Sequence, residues 1–190
     1  LIGGGIMILY AALFAAYSPV FQEPVIESQT LTFALMCIVT IVGMALAIRH
    51  DAVTIALLAI LGGFLTPRLV STGTDARDIL FSYILLLDLG VLGVAFYKKW
   101  RALDILAFVG TIALFGGWYY KFGIDAPVGP PLAWLATLWA VFAIVPVAYH
   151  VRHKTQLTVE RLVMSLLNAT YGFGFAYLIL ANRHDDLAWV

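Results

Sequence analysis

Charged residues are scarce in this sequence. Only 12% of its 190 residues are Asp, Glu, Lys or Arg, whereas 63% are hydrophobic and the mean hydropathy is +0.97. A soluble domain carries about 25% charged residues, so a chain with half that share lacks the charge to cover a water-facing surface. The composition therefore excludes an ordinary soluble domain and indicates a polytopic membrane protein.

Residues for cofactor or metal chemistry are also scarce. Cys37 is the only cysteine, which excludes a disulfide framework and is typical of a small packing residue. The four histidines lie at the ends of apolar runs without metal-ligand spacing, and the formal net charge is zero. We predict no metal site, no cofactor and no nucleic-acid partner. No catalytic motif occurs, so an enzyme is the less favoured class.

An initiator methionine and a basic leader are missing as well. The chain begins at Leu1 inside an apolar run and ends with "LAWV", which does not match a signal peptide. We expect a piece of a longer protein. Its expected partners are the lipid bilayer and the remaining transmembrane helices of that protein, and its small-molecule ligand is unknown.

Long apolar runs dominate the sequence instead. A membrane-spanning helix needs about 20 apolar residues, within a range of roughly 17–25, and none of the runs alternates as the strands of a membrane barrel do. The predicted fold is an all-α polytopic transmembrane helix bundle of about seven to eight helices, forming one transmembrane helical domain over residues 1–190. The predicted spans are Leu1–Tyr17, Leu31–Ile48, Ala52–Val70, Ile79–Tyr97, Ala102–Tyr120, Leu132–Val151 and Leu162–Ala181, and Leu187 is a candidate start for an eighth.

The basic residues favour one side of the membrane. Seven of the eleven Lys and Arg residues lie in the second, fourth and sixth loops between the runs. Loops rich in Lys and Arg face the cytoplasm. We therefore predict a bacterial inner-membrane protein in which the N-terminus of the chain and Lys98–Arg101 lie on the cytoplasmic side.

Two short segments recur along the chain. "LFAAY" at 13–17 resembles "LFGGWY" at 114–119, and "IRH" at 48–50 resembles "VRH" at 151–153, with offsets of 101 and 103 residues. Units 1–97 and 102–190 would then form a four-helix parallel repeat, an arrangement found in some transporters. Chance similarity between apolar segments is the alternative.

Longer blocks of the sequence resemble a known family. "GGGIMILYAALFAAY", "FALMCIVTIVGMALAIRHD" and "LLAILGGFLTPRLVSTG" are similar to successive blocks of the bacterial membrane-protein family called domain of unknown function 2339 (DUF2339). The similarity continues through "LFSYILLLDLGVLGVAFYKKWRALDILAFVGT", and beyond it the chain is similar mainly in the rhythm of the helices. The resemblance implies a many-helix inner-membrane protein, of which this chain forms less than half. It implies no chemistry, so it supplies no site residues.

Small residues recur along the third run. Ala52, Ala56, Ala59 and Gly63 are spaced by four, three and four positions, which places them on one helix face. Small residues let membrane helices approach closely. The pattern predicts tight helix packing, with a gap lined by exposed backbone as the alternative.

Pro67 interrupts the same run. It removes a backbone donor and clashes with the carbonyl group of Gly63, so we predict that the helix kinks or ends near Thr66, at the outer surface. Arg68 follows immediately, either extending to the outer headgroups or standing as a cation at the mouth of a cavity that binds an anion. Thr66, Pro67 and Arg68 are thus a candidate outer-rim site.

Asp88 lies in the middle of the fourth run, where its helical neighbours at three and four positions are all hydrocarbon side chains. A carboxylate at the bilayer centre costs at least about 2.5–3.5 kcal/mol, and such a residue is a functional-site candidate by default. The alternative is a protonated, hydrogen-bonded packing residue. In either case its partner must come from another helix or from water.

Other polar residues fall at similar depths. Thr40, Thr111 and Thr170 lie near the midpoints of their runs, beside Asn168 in the last run. Together with Asp88 they form a candidate mid-membrane polar site, in which Thr111 and Asn168 are the expected partners of Asp88. The alternative is that the threonine hydroxyls bond carbonyl groups of their own helices.

Three functions fit these observations. The first is transporter-like or channel-like translocation of a small solute or proton, with Asp88 in the path. The second is a membrane-embedded enzyme or helper in cell-envelope biogenesis, acting on lipid-linked material near Arg68 and the Ser18–Gln29 loop. The third is a scaffold without a ligand. They predict polar residues concentrated at mid-depth, at the outer rim, or nowhere in particular.

Overall fold

The computed structural model describes residues 2–17, 25–71, 73–95, 98, 100–124, 126–153 and 159–187. All regular structure in these ranges is helical, which confirms the predicted all-α fold. A wide π-helical turn, Tyr119–Gly123, continues the fifth helix. The helices are α1 (Ile2–Tyr17), α2 (Gln29–His50), α3 (Val53–Leu69), α4 (Arg77–Ala95), α5 (Arg101–Trp118), α6 (Gly129–His153) and α7 (Val159–Leu187).

Three segments among the described residues are long and apolar enough to cross a membrane: Gln29–His50, Arg101–Gly123 and Leu162–Ala181. At 1.5 Å per residue, the first is about 33 Å long, close to the roughly 30 Å of a bilayer's hydrocarbon core. Large apolar side chains are exposed along the helices, as at Ile8 and Ile41. Such outward faces require lipid rather than water around them.

Local polar contacts define the ends of α2. Ser28 precedes the helix, and its hydroxyl accepts a hydrogen bond from the backbone N–H of Leu31 at 3.3 Å. Asp51 follows the helix in the left-handed conformation, at φ 51°, which Asp tolerates better than most side chains. Its carboxylate accepts a hydrogen bond from Lys98 Nζ at 2.7 Å. This ion pair connects the end of α2 to the segment that follows α4.

The chain divides into two compact units, Leu1–Gly110 and Thr111–Val190. In the first unit, α2 and α3 form the most extensive helix pair, and α1 packs against both. In the second unit, α6 packs against α7. The parallel repeat of 1–97 and 102–190 stays a prediction. The candidate eighth helix falls at the end of α7, which continues through Leu187, and its remaining residues lie outside those described.

The small-residue face of α3 packs against α2, as predicted. Ala56 and Ala59 are fully buried. A Cβ atom added at Gly43 of α2 would lie 2.8 Å from the Cβ of Ala59, and one added at Gly63 would lie 3.1 Å from Thr40 Cγ2. Because the contact leaves no room for a methyl group on the facing glycine, the two backbones come as close as this sequence permits.

A glycine of α3 also contacts an aromatic ring of α1. Tyr10 packs directly over Gly62, where an added Cβ atom would overlap the tyrosine ring. The same ring lies in an apolar core with Ile6, Met36 and Val70. Gly62 thus lets the ring of α1 reach the α2–α3 pair.

The helix does not end at Thr66 itself, and the alternative of a kink there stays a prediction. α3 continues through Pro67 to Leu69, and the backbone N–H of Val70 donates to the Thr66 carbonyl oxygen at 3.0 Å. Pro67 lies in the last turn of the helix, where its missing N–H removes only the bond to the Gly63 carbonyl group. That carbonyl group has another partner, described below.

Candidate functional site

Tyr83 replaces the backbone donor that Pro67 lacks. Its hydroxyl, on α4, donates to the Gly63 carbonyl oxygen at 2.8 Å. Phe33 of α2 supports the Tyr83 ring edge-on, with ring centroids 5.0 Å apart. A buried carbonyl group without a donor costs about 1–3 kcal/mol, so the proline in α3 and the tyrosine in α4 act as a pair.

A second tyrosine begins a chain of hydroxyl groups. Thr40 donates its single proton to the Met36 carbonyl oxygen at 3.0 Å. Its Oγ1 therefore accepts a hydrogen bond from the hydroxyl of Tyr10. The Tyr10 hydroxyl also lies 3.2 Å from the carbonyl oxygen of Ala59. Side chains of α1 and α2 are thus joined beside the small-residue face of α3.

These groups belong to one polar cluster at the centre of four helices. Thr66 is fully buried and donates to the Gly62 carbonyl oxygen at 2.9 Å. The thiol of Cys37 and the hydroxyls of Thr40 and Thr66 all interact with Tyr83. We call the side chains of Tyr10, Cys37, Thr40, Thr66 and Tyr83 the polar cluster. It provides hydroxyl and thiol groups without a formal charge.

Asp88 lies further along α4, about 7.5 Å from Tyr83 along the helix axis at 1.5 Å per residue. Its side chain is 0% exposed and shares the buried face of α4 with Phe81, Ile84 and Val91. The carboxyl group therefore lies inside the helix packing. Its pairing with Thr111 or Asn168 stays a prediction, as does its functional role.

Buried polar residues and lipid-suited outer faces together characterise a membrane protein. The family model described as "Predicted membrane protein (DUF2339)" matches residues 1–190. The chain belongs to the DUF2339 family. No curated protein and no solved structure matches this DUF2339 chain. The family description places the chain in a membrane, and any activity must be inferred from its own residues.

The other members of the predicted mid-membrane site lie in the second unit of the DUF2339 chain. Thr111 and Asn168 are buried. The Asn168 amide donates through Nδ2 to the Trp139 carbonyl oxygen at 3.1 Å, while its Oδ1 has no hydrogen-bond partner among the described residues. Thr170 is exposed and bonds the Leu166 carbonyl oxygen at 2.9 Å. The hydroxyl of Thr170 is therefore satisfied within its own helix, which agrees with the alternative stated for the threonines.

Asn168 lies in a well-packed part of the second unit. Trp139 of α6 packs over Gly172, where an added Cβ atom would lie 2.5 Å from the indole Cδ1. Phe115 of α5 meets Phe175 of α7 edge-on, with ring centroids 5.2 Å apart. Gly172 therefore serves helix packing, and α7 is continuous through it.

The candidate outer-rim site separates into residues with different surroundings. Thr66 is buried in the polar cluster, Pro67 is half-buried inside α3, and Arg68 is exposed in the last helical turn. A cation at this position interacts favourably with the negative end of the helix dipole. The role of Arg68 at a headgroup or at a cavity mouth stays a prediction. Part of the Ser18–Gln29 loop, residues 18–24, lies outside the described residues.

Sequence reasoning missed Tyr10 and Tyr83 as site residues. Tyrosine in membrane helices is expected near the interfaces, so both were overlooked within their apolar runs. The usable signal was Pro67, because a carbonyl group deprived of its donor at membrane depth needs a donor from a neighbouring helix. Among the described residues, no three His, Cys, Asp or Glu side chains group together as metal ligands.

Proposed function

We propose that this chain forms part of a transporter-like bundle that moves a proton or a small solute across the membrane. Asp88 is the group that binds the proton or solute. The observation that carries the proposal is the complete burial of a carboxyl group halfway along a helix of a membrane protein. Such a group is expensive to insert and is a functional-site hypothesis by default.

The distribution of buried polar residues supports the same function. Four of the six buried Thr, Asp and Asn residues in the described ranges lie towards the middle of their helices, namely Thr40, Asp88, Thr111 and Asn168. Thr32 and Thr66 are buried nearer to helix ends, and Arg68 at the predicted outer rim is exposed. Polar groups at mid-depth are typical of ion and proton pathways. An enzyme acting at the outer surface would instead concentrate them at the rim.

The polar cluster supplies a route to Asp88 from one side. Tyr83 precedes Asp88 on α4, and the cluster lies between Asp88 and the N-terminal end of that helix. Thr40, Thr66 and Tyr83 donate their protons to backbone carbonyl groups, so proton transfer through the cluster requires these hydroxyls to rotate and bond one another, which a hydroxyl group can do because it both donates and accepts. In the proposed orientation this route leads from Asp88 towards the outer surface.

The first prediction tests Asp88 directly. Purified protein is reconstituted into liposomes that contain a pH-sensitive dye, and a potassium gradient with valinomycin drives proton entry. We expect proton flux above that of protein-free liposomes, and we expect Asp88→Asn to abolish it, because the amide keeps the shape and hydrogen bonding of the carboxyl group but does not release a proton.

The control is Asp78→Asn, the same substitution at an exposed position on the same helix. It should leave the flux unchanged, and both variants should keep the melting temperature of the parent protein. Equal flux in the parent and Asp88→Asn proteins would contradict the assignment of Asp88 as a proton-binding group. If the parent shows no proton flux, a panel of labelled small solutes in the same liposomes tests solute movement.

A further inference from the structure

A groove opens on the surface of the first unit, beside the C-terminal part of α4 and the end of α2. Its volume is about 320 Å³. Its lining is apolar except for a lysine at one end, so it is suited to a hydrocarbon chain. The lining residues are Ile48, Leu89, Gly90, Gly93, Val94 and Lys98.

Two glycines create this groove. Gly90 and Gly93 are exposed, and a Cβ atom added at either one would meet no other atom within 4 Å. The spaces beside Gly43 and Gly62, by contrast, are occupied by side chains of neighbouring helices. The glycines of α4 thus leave space on its outer surface that no described part of the chain occupies.

Lys98 lines one end of the groove, and the neighbouring segments of the chain carry two further basic residues. Lys98 Nζ bonds Asp51 at 2.7 Å and lies 5.8 Å from the ring centroid of Trp100, an aromatic residue of the kind found at membrane interfaces. Arg49 is exposed at the end of α2, and Arg101 is exposed at the start of α5. These three cations outnumber the two acidic residues of the same segments, Asp51 and Asp104, so an anion is favoured here. An ammonium group has three donors, so Lys98 bonds an added anion without releasing Asp51.

We propose that this groove binds an anionic phospholipid, with one acyl chain along Gly90 and Gly93 and the phosphate at Lys98. The groove is open along the protein surface and its walls are almost entirely hydrocarbon, so a flexible acyl chain fits along it. The combination of an apolar groove and a basic mouth at one end matches the chemistry of an anionic lipid.

The test measures which lipid remains bound to the purified protein. The protein is placed in nanodiscs with equal amounts of phosphatidylglycerol and phosphatidylcholine that carry the same acyl chains, and retained lipid is identified by native mass spectrometry. We expect phosphatidylglycerol to be preferred about fivefold, the effect of one basic residue near an anionic headgroup. Lys98→Gln should remove the preference but keep a bound lipid. Gly93→Leu should fill the groove and remove both.

Matched controls separate the groove from general effects. Gly5→Leu adds the same side chain at another exposed glycine with open space around it, and Lys121→Gln removes another exposed lysine. Both should retain lipid as the parent does, and Gly93→Leu should keep the parent melting temperature because nothing obstructs the new side chain. Equal retention of the two lipids by the parent, or unchanged retention by Gly93→Leu, would overturn the proposal. If the parent protein retains no lipid and Gly93→Leu lowers the melting temperature, a protein segment occupies the groove and the proposal is wrong.

Discussion

At the scale of single residues, the most informative contact is the one between Tyr83 and the Gly63 carbonyl group. Neither residue is unusual in a membrane helix, and their connection depends on a third residue, Pro67. The proline leaves an acceptor on the buried side of α3, and the tyrosine of α4 supplies the donor. One hydrogen bond therefore does two tasks, because it completes α3 and attaches α4 to it.

The second prediction tests this arrangement with a double-mutant cycle. Tyr83→Phe should lower the free energy of unfolding by about 1–3 kcal/mol, because the Gly63 carbonyl group loses its donor. Pro67→Ala restores the backbone N–H that donates to the same carbonyl group. Tyr83→Phe should therefore cost less in the Pro67→Ala background. Urea or thermal unfolding in mild detergent measures all four proteins, and equal costs in both backgrounds would show that the two residues are independent.

At the scale of helices, close approach of α2 and α3 holds the first unit together. Ala59 and Gly43 leave no space between the two backbones. In lipid, helices associate mainly through such van der Waals contacts, since lipid tails are as apolar as leucine. The stability of this pair should therefore depend on the size of the side chains at the contact more than on their hydrophobicity.

The third prediction follows from that contact. Ala59→Leu should lower stability by roughly 1–3 kcal/mol through overpacking, although leucine is the more hydrophobic residue. Ala45→Leu is the matched control, because Ala45 is exposed on α2 two residues after Gly43. It should leave the melting temperature within experimental error of the parent. A fluorescence-detected melting curve compares the three proteins. An unchanged curve for Ala59→Leu would mean that α2 and α3 leave room for a larger side chain at this position.

At the scale of the whole molecule, the orientation in the membrane decides which side the polar cluster faces. The charge distribution predicts a cytoplasmic Arg101 and an external Lys121, and these residues lie at opposite ends of one membrane-spanning segment, Arg101–Gly123. That segment is suited to a topology measurement, because both ends belong to the same helical path.

The fourth prediction concerns that orientation. In a Cys37→Ala background, Lys121→Cys should react with a membrane-impermeant maleimide in intact cells, whereas Arg101→Cys should react only after the membrane is permeabilised. Both native residues are exposed, so each position is accessible to reagent from its own side. The reverse labelling pattern would invert the orientation and direct the polar cluster towards the cytoplasm.

Much of this fold was predictable from the sequence, because the length of an apolar run and the spacing of small residues are local properties. The helices of the described residues and the face formed by Ala56, Ala59 and Gly63 agree with those patterns. The polar cluster was harder to predict, because it depends on which helix supplies a donor to Gly63. Thr170 shows the same limitation from the opposite side, since mid-run position alone did not determine whether its hydroxyl faces the interior.

The position of Asp88 in α4 has a consequence for how the chain is assembled during synthesis. α2 is apolar enough to leave the translocon for lipid on its own, but α4 carries Arg77, Asp78 and Asp88, and its central carboxyl group resists entry into bare lipid by at least about 2.5–3.5 kcal/mol. Helices α1 to α3 emerge first and pack against one another. They form a surface against which α4 packs, and on that surface the carbonyl group of Gly63 has no hydrogen-bond donor until Tyr83 arrives. We therefore expect Tyr83 to reach the Gly63 carbonyl group and Asp88 to become buried in the same step of insertion.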